Sequence, residues 1–104
     1  MQQGLVLKES NDSECVRVEV AGEVDIYTCQ ELKEQLYQVI DEYGKNLVLD
    51  CSQLNYIDST GLGVFVAVLK KTKLIDKEVR IENLKDNIKK LFVITSLDKL
   101  FSIE

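Results

Sequence analysis

The chain predicts an α/β fold, a mixed β-sheet with helices packed on it, and three observations carry that expectation. Val16, Val18 and Val20 alternate with Arg17 and Glu19, the period of a half-buried strand. Leu47-Val48-Leu49 is an unbroken apolar run, as expected of a strand covered on both faces. Between them Leu32, Leu36, Val39, Ile40 and Tyr43 recur at helical spacing. Strands separated by helices make a layered sheet.

The elements follow in order. Leu5 to Lys8 reads as a short first strand, and Asn11-Asp12-Ser13 as a turn. The alternating strand runs from Cys15 to Ala21, and Gly22-Glu23-Val24-Asp25 leaves it as a loop carrying two carboxylates. In the next helix Thr28 and Glu31 have capping-box spacing, Tyr27 and Leu32 pair as a hydrophobic staple, and Gly44 stands where a left-handed cap is wanted. Its outer face carries Glu34, Gln38, Asp41 and Glu42. Asn46 to Cys51 is the apolar strand, and Ser52 to Asp58 connects it to a helix starting near Ser59. After an Asp76-Lys77 turn, Val79-Arg80-Ile81 reads as another strand. Asp86 caps a helix that buries Ile88, Leu91 and Phe92, and the tail from Leu97 to Ile103 adds a helical turn or two holding Leu100 and Phe101 to the body.

With 104 residues the chain reads as one domain, 1–104, and 45% hydrophobic residues suffice for a core. A net charge of −5 argues against nucleic acid, whose phosphates need a clustered basic surface. Lys70, Lys71 and Lys73 do cluster, but at a helix end, where cations are favoured anyway. Cys15, Cys29 and Cys51 form no Cys-x-x-Cys pair, and with no histidine a metal site is not expected. Widely spaced thiols fit a reducing compartment. The start, M-Q-Q-G-L-V-L-K-E, lacks a signal-peptide pattern, and the apolar run Leu62 to Leu69 is too short to span a bilayer. A cytoplasmic protein without a membrane segment is expected.

The most informative segment is Tyr56 to Lys70, Y-I-D-S-T-G-L-G-V-F-V-A-V-L-K. Asp58, Ser59 and Thr60 precede a long apolar run, so they stand where side-chain oxygens cap a helix and where negative charge is favoured. A phosphate added at Ser59 would leave the helix behind it intact while changing the surface a partner meets. Leu62, Phe65, Val66 and Leu69 make one helical stripe, yet Val64, Ala67 and Val68 lie outside it or at its margin. Either the helix is buried between the sheet and a neighbouring helix (or is a strand misread as one), or a partner covers its apolar first turn. Gly61 and Gly63 each cost about 1 kcal/mol against alanine inside a helix, and their bareness would admit a partner close to Ser59.

No catalytic constellation accompanies the serine. Ile57 stands where a nucleophile elbow needs glycine, there is no histidine to act as base, and Gly61-Leu62-Gly63 lacks the third glycine of a dinucleotide fingerprint. Glu23 and Asp25 have no companions for acid–base work. No cofactor is implied, and the expectation is a protein that is not an enzyme.

The blocks V-A-G-E-V-D-I-Y-T, then L-x-Y-I-D-S-T-G-L-G-V-F, then L-x-x-L-F-V-I-T together resemble the anti-sigma factor antagonist family, with its STAS-domain fold. The match covers nearly the whole chain in the right order, closest to the antagonists of general-stress or sporulation sigma factors. The resemblance implies a partner switch. The unmodified protein would bind an anti-sigma factor that is also a serine kinase, freeing the sigma factor; the kinase would phosphorylate Ser59 with ATP, ending that binding, and a separate serine phosphatase would reset it. It also implies that Asp58 positions Ser59, that Gly61, Leu62 and Gly63 belong to the contact surface, and that Asp25 lies in a loop near the serine. Thr60 falls at a position where the family varies and is counted with Asp25, Asp58, Ser59, Gly61, Leu62 and Gly63 among the expected partner-binding residues. A monomer is expected when free. A STAS scaffold assembling with other STAS domains without a phosphorylation cycle is the alternative, and a nucleotide binder a third reading without a phosphate cradle. One departure stands out: Thr95-Ser96-Leu97 replaces the T-G-L that often follows the C-terminal helix, putting serine where a left-handed cap favours glycine.

Overall fold

Alternating valines form the strand β2 (Cys15–Val24) of a mixed sheet, antiparallel to β1 (Val6–Asn11) on one side and parallel to β3 (Asn46–Asp50) on the other. The computed structural model describes residues 4–104; Met1, Gln2 and Gln3, part of the start read above for a signal-peptide pattern, lie outside the described residues. Beyond β3 the sheet continues through β5 (Val79–Glu82) to β6 (Ser102–Ile103), both parallel. A further strand, β4 (Leu54–Ile57), pairs in parallel with the end of β2.

Register aligns Val16, Leu47 and Val79 in one row and Val18, Leu49 and Ile81 in the next, all buried. This face packs against α1 (Cys29–Tyr43), α2 (Ser59–Leu74) and α3 (Asp86–Ile94) in one continuous core. Phe65, Phe92 and Phe101 pass through it with ring centroids 5.9 and 6.0 Å apart. The opposite face is charged. Arg17 pairs with Asp50 at 3.2 Å and Glu82 at 2.7 Å, while Arg80 pairs with Glu82 at 3.1 Å and Glu104 at 3.4 Å. Val48 is buried outside the core, between Arg17 and Arg80 in register. Arginine stems cover apolar surface while their charged ends stay in water. The two-sided burial of Leu47-Val48-Leu49 therefore comes from helices on one face and charged side chains on the other.

The apolar excess of α2 has an internal explanation: the helix lies between the sheet and α1, so that Val64 and Val68 are buried along with Leu62, Phe65 and Leu69. Thr72 is buried too, its hydroxyl donating to the Leu69 carbonyl at 2.9 Å. Gly44 ends α1 at φ 59°, its N–H donating to the Ile40 carbonyl as expected.

Several local expectations are corrected. The first strand spans Val6–Asn11 rather than stopping at Lys8. Glu23 and Val24 are strand residues, because β2 leaves β3 after Glu19 and pairs with β4 from Gly22 to Val24, with a register shift between Gly22 and Glu23. Gly22 is required there: it sits at φ 102°, and a Cβ would fall 2.1 Å from the Gly4 carbonyl oxygen. The connection from Ser52 to Asp58 accordingly contains β4. Thr28 makes no side-chain cap, and Tyr27 is 83% exposed, so neither capping box nor staple forms. Lys85 rather than Asp86 is the N-cap of α3, with Asp86 in the first turn. The tail is a single 3-10 turn, Leu97–Lys99, followed by β6; Phe101 is buried while Leu100 is half exposed. Ser96 does adopt the left-handed conformation, at φ 61°.

Candidate functional site

Val24 and Ile57 are register partners at the ends of β2 and β4, so the residues after them, Asp25 and Asp58, emerge at the same edge of the sheet. The Asp58 N–H donates to the Val24 carbonyl at 3.2 Å, tying the two strand ends together. Asp58 is extended at φ −110° and caps α2: its Oδ1 accepts the amides of Thr60 at 3.0 Å and Gly61 at 3.1 Å. The same oxygen accepts the Thr60 hydroxyl in a short hydrogen bond. That hydroxyl, followed by the two amides, holds the Asp58 carboxyl below its ordinary value despite some burial.

Ser59, the first residue of α2, is exposed, and its hydroxyl has no hydrogen-bond partner among the described residues. Thr60 beside it is exposed but engaged. Gly63 is exposed, and a Cβ there would meet open space. Gly61 differs. Its Cβ would fall 2.6 Å from Ile57 Cγ1, 2.7 Å from Val24 Cγ1 and 3.0 Å from the Val24 carbonyl oxygen. The bareness of Gly61 therefore admits the protein's own strands, and the expectation that it opens the helix to a partner is corrected. Leu62 is 7% exposed and points into the core. Of the helix-start residues expected at a contact surface, Asp58, Ser59, Thr60 and Gly63 reach solvent; Gly61 and Leu62 support them from below.

Asp25 is buried and builds the turn into α1. Its carboxylate accepts the amides of Tyr27 at 2.9 Å and Thr28 at 3.1 Å, and its carbonyl accepts the Cys29 amide at 2.8 Å. Thr28 turns its hydroxyl back toward the strand, donating to the Glu23 carbonyl at 2.8 Å and accepting the Asp25 N–H at 3.0 Å. This pair of side chains lifts Ile26 and Tyr27 out of the structure, 65% and 83% exposed, with Tyr56 of β4 half exposed nearby in sequence to Asp58. Sequence reasoning missed Ile26 and Tyr27. The signal was present in D-I-Y-T: aspartate and threonine bond locally across a turn, and whatever stands between them is pushed outward.

Among the described residues no cluster of three or more His, Cys, Asp or Glu side chains suits a metal ion. A groove of about 830 Å³ lies where β3 and β5 begin, lined by Cys15, Asn46, Lys73, Val79 and Arg80 among others, and takes in none of the residues around Ser59. No helix among the described residues is long and apolar enough to cross a membrane.

The family model for the STAS domain matches residues 7–104. The chain is a STAS domain of the anti-sigma factor antagonist family. It is 35% identical over 99 residues to the anti-sigma-B factor antagonist of Staphylococcus aureus (strain NCTC 8325 / PS 47), covering 95% of this chain and 92% of that protein. It is 36% identical over 98 residues to the anti-sigma-B factor antagonist of Bacillus subtilis (strain 168), covering 94% of this chain and 86% of that one. Among solved structures, the anti-sigma factor antagonist SpoIIAA in its unphosphorylated form is similar with a TM-score of 0.81 at 15% identity, over 95% of this chain and 88% of that one. SpoIIAA of Bacillus in its phosphorylated form gives a TM-score of 0.73 at 15% identity, over 95% and 91%. These two likenesses show the common fold, which among the described residues of this chain is a mixed six-stranded sheet with three α-helices.

Proposed function

We propose that this STAS domain is a cytoplasmic anti-sigma factor antagonist switched at Ser59. Unmodified, it binds an anti-sigma factor that is also a serine kinase and so releases the sigma factor; phosphorylated at Ser59, it no longer binds. A serine phosphatase restores the unmodified form. One observation carries the reading: an exposed serine hydroxyl without a partner among the described residues opens α2, on the edge of the sheet that also displays Ile26 and Tyr27. The relatives named anti-sigma-B factor antagonists support the partner class.

The contact proposed here consists of Asp58, Ser59, Thr60 and Gly63 with Ile26 and Tyr27, shaped by Asp25, Gly61 and Leu62 beneath. A phosphoserine adds about −1.5 to −2 charges at neutral pH. Closing an interface over it leaves that charge short of water, and an unpaired buried charge costs several kcal/mol. About 3 kcal/mol is already more than a hundredfold in affinity. The amides of Thr60 and Gly61, which at other helix starts would receive a phosphate, are taken by Asp58, itself negative. The added charge thus remains at the surface, where a partner meets it.

The test is incubation with ATP and the anti-sigma factor kinase of the same bacterium, the modified residue being mapped by mass spectrometry. Phosphate on Ser59 is expected, and phosphate only elsewhere overturns the assignment. In a binding assay Ser59→Asp weakens the complex by about a hundredfold or more, while Ser59→Ala binds whether or not ATP is present. Wild-type binding by both would reduce Ser59 to an ordinary helix residue.

A further inference from the structure

Two hydroxyls stand side by side at the start of α2, both exposed, and the geometry treats them differently. The Thr60 hydroxyl donates to Asp58 Oδ1, the oxygen that also accepts the amides of Thr60 and Gly61; the Ser59 hydroxyl has no partner among the described residues. We propose that Thr60 is a positioning residue of the switch: its hydroxyl locks Asp58 in the cap of α2, and that engagement leaves Ser59 as the hydroxyl open to phosphoryl transfer. The inference rests on the reading of Ser59 as the modified residue.

In the transfer, the hydroxyl oxygen forms a bond to the γ-phosphorus of a nucleoside triphosphate. The bond from that phosphorus to the β–γ bridging oxygen breaks, the diphosphate leaves with the electron pair, and the hydroxyl proton passes to a base on the kinase. An attacking oxygen has to release its proton toward that base. The Thr60 proton is committed to a carboxylate in a charge-assisted hydrogen bond, and using it would mean breaking this bond and loosening the cap. Ser59 faces neither obstacle. The lock has a second consequence. While Asp58 keeps both amides, a phosphate on Ser59 finds the Thr60 and Gly61 amides already taken and stands beside a carboxylate. Thr60 therefore preserves the charge contrast between the two states of the switch.

Two measurements test this. The first needs no kinase: the Asp58 carboxyl is titrated by carbon-detected NMR in the wild type, in Thr60→Val, which keeps the shape but loses the donor, and in Thr60→Ser, which keeps the donor. The Asp58 midpoint rises toward the ordinary carboxylate value in Thr60→Val and returns in Thr60→Ser. An unchanged midpoint in Thr60→Val overturns the lock. The second uses the kinase and ATP on Ser59→Ala: phosphate enters Thr60 more than about tenfold more slowly than it enters Ser59 of the wild type, the factor that one charge-assisted hydrogen bond supplies. Thr60 modification at the wild-type Ser59 rate overturns the selection. Absence of phosphate from wild-type Ser59 would instead overturn the switch itself and the selection with it, leaving the titration to decide whether Thr60 holds Asp58.

Discussion

Gly61 and Gly63 lie two residues apart on one helix, and the same substitution is expected to act on them with opposite sign. Alanine is favoured over glycine inside a helix by about 1 kcal/mol, a gain available to both positions. At Gly63 a new Cβ meets open space, so Gly63→Ala stabilises by up to about 1 kcal/mol. At Gly61 the new atom would stand 2.6 Å from Ile57 Cγ1 and 2.7 Å from Val24 Cγ1, with the Val24 carbonyl oxygen at 3.0 Å. Atoms near the backbone on two paired strands yield poorly, and overpacking of this kind costs about 1–3 kcal/mol. Gly61→Ala is thus destabilising by up to about 2 kcal/mol after the helix gain. The difference between the variants cancels the propensity and isolates the steric cost. Urea unfolding monitored by circular dichroism reads it: with a slope of about 1–3 kcal/mol per molar, a 2 kcal/mol difference separates the midpoints by about 1 M. Equal midpoints, or Gly61→Ala the more stable, would refute the claim that α2 needs a bare residue where it crosses β2 and β4. Because Gly63 faces solvent beside Ser59, Gly63→Ala should also weaken partner binding while raising stability, separating its two roles.

Three further outcomes follow from the same geometry. Replacing both Ile26 and Tyr27 by serine changes the unfolding free energy by no more than about 0.5 kcal/mol for each exposed side chain, yet lowers affinity for the anti-sigma factor more than about tenfold by calorimetry, since exposed tyrosines are frequent interface anchors; unchanged affinity would remove this knuckle from the contact. Acid destabilises the fold through Asp58 and Asp50. Asp58 is lowered by the Thr60 hydroxyl first; for Asp50, burial opposes the shift, but bonds from Ser52, Asn83 and Arg17 outweigh it. The unfolded chain, with carboxyls near the ordinary value of about 3.9, therefore takes up protons first as pH falls. Stability from these groups is complete above that value and is lost below it, so urea midpoints at pH 7 and pH 3 must differ, and equal ones contradict the pairing. Burial, with the neighbouring Asp50 charge, pushes the Cys51 thiol up to about 12, so a disulfide reagent at pH 8 leaves it unmodified in the folded protein and reaches it in urea; fast native labelling of Cys51 would place it outside the core.

Much of the fold was legible because it depends on short-range patterns. The valine alternation of β2, the helical spacing of Leu32 to Ile40 and the left-handed Gly44 all appear where periodicity puts them. What escaped were elements whose bonds come from elsewhere. Leu54-Asn55-Tyr56-Ile57 forms a strand because β2 runs on past its pairing with β3 and offers it an edge. Thr28 fits a capping box in sequence, but the Glu23 carbonyl and the Asp25 amide, brought close by the turn, engage its hydroxyl instead. At the site, Ser59 and Asp58 were readable as a helix start, whereas the exposed Ile26 and Tyr27 were hidden by a staple that never forms.

The sequence by itself determined the α/β class, the position of α2's first turn and the presence of a serine hydroxyl there, since capping and periodicity act over three or four residues. Only the tertiary structure decided what surrounds that hydroxyl. Pairing of β2 with β4 sets Asp25 and Asp58 on one edge, buries Gly61 and Leu62, and leaves Ile26, Tyr27 and Gly63 facing water. Those placements depend on which distant backbone groups find each other, and the contact between strand ends more than thirty residues apart, here the Asp58 amide on the Val24 carbonyl, has no signature in either local segment.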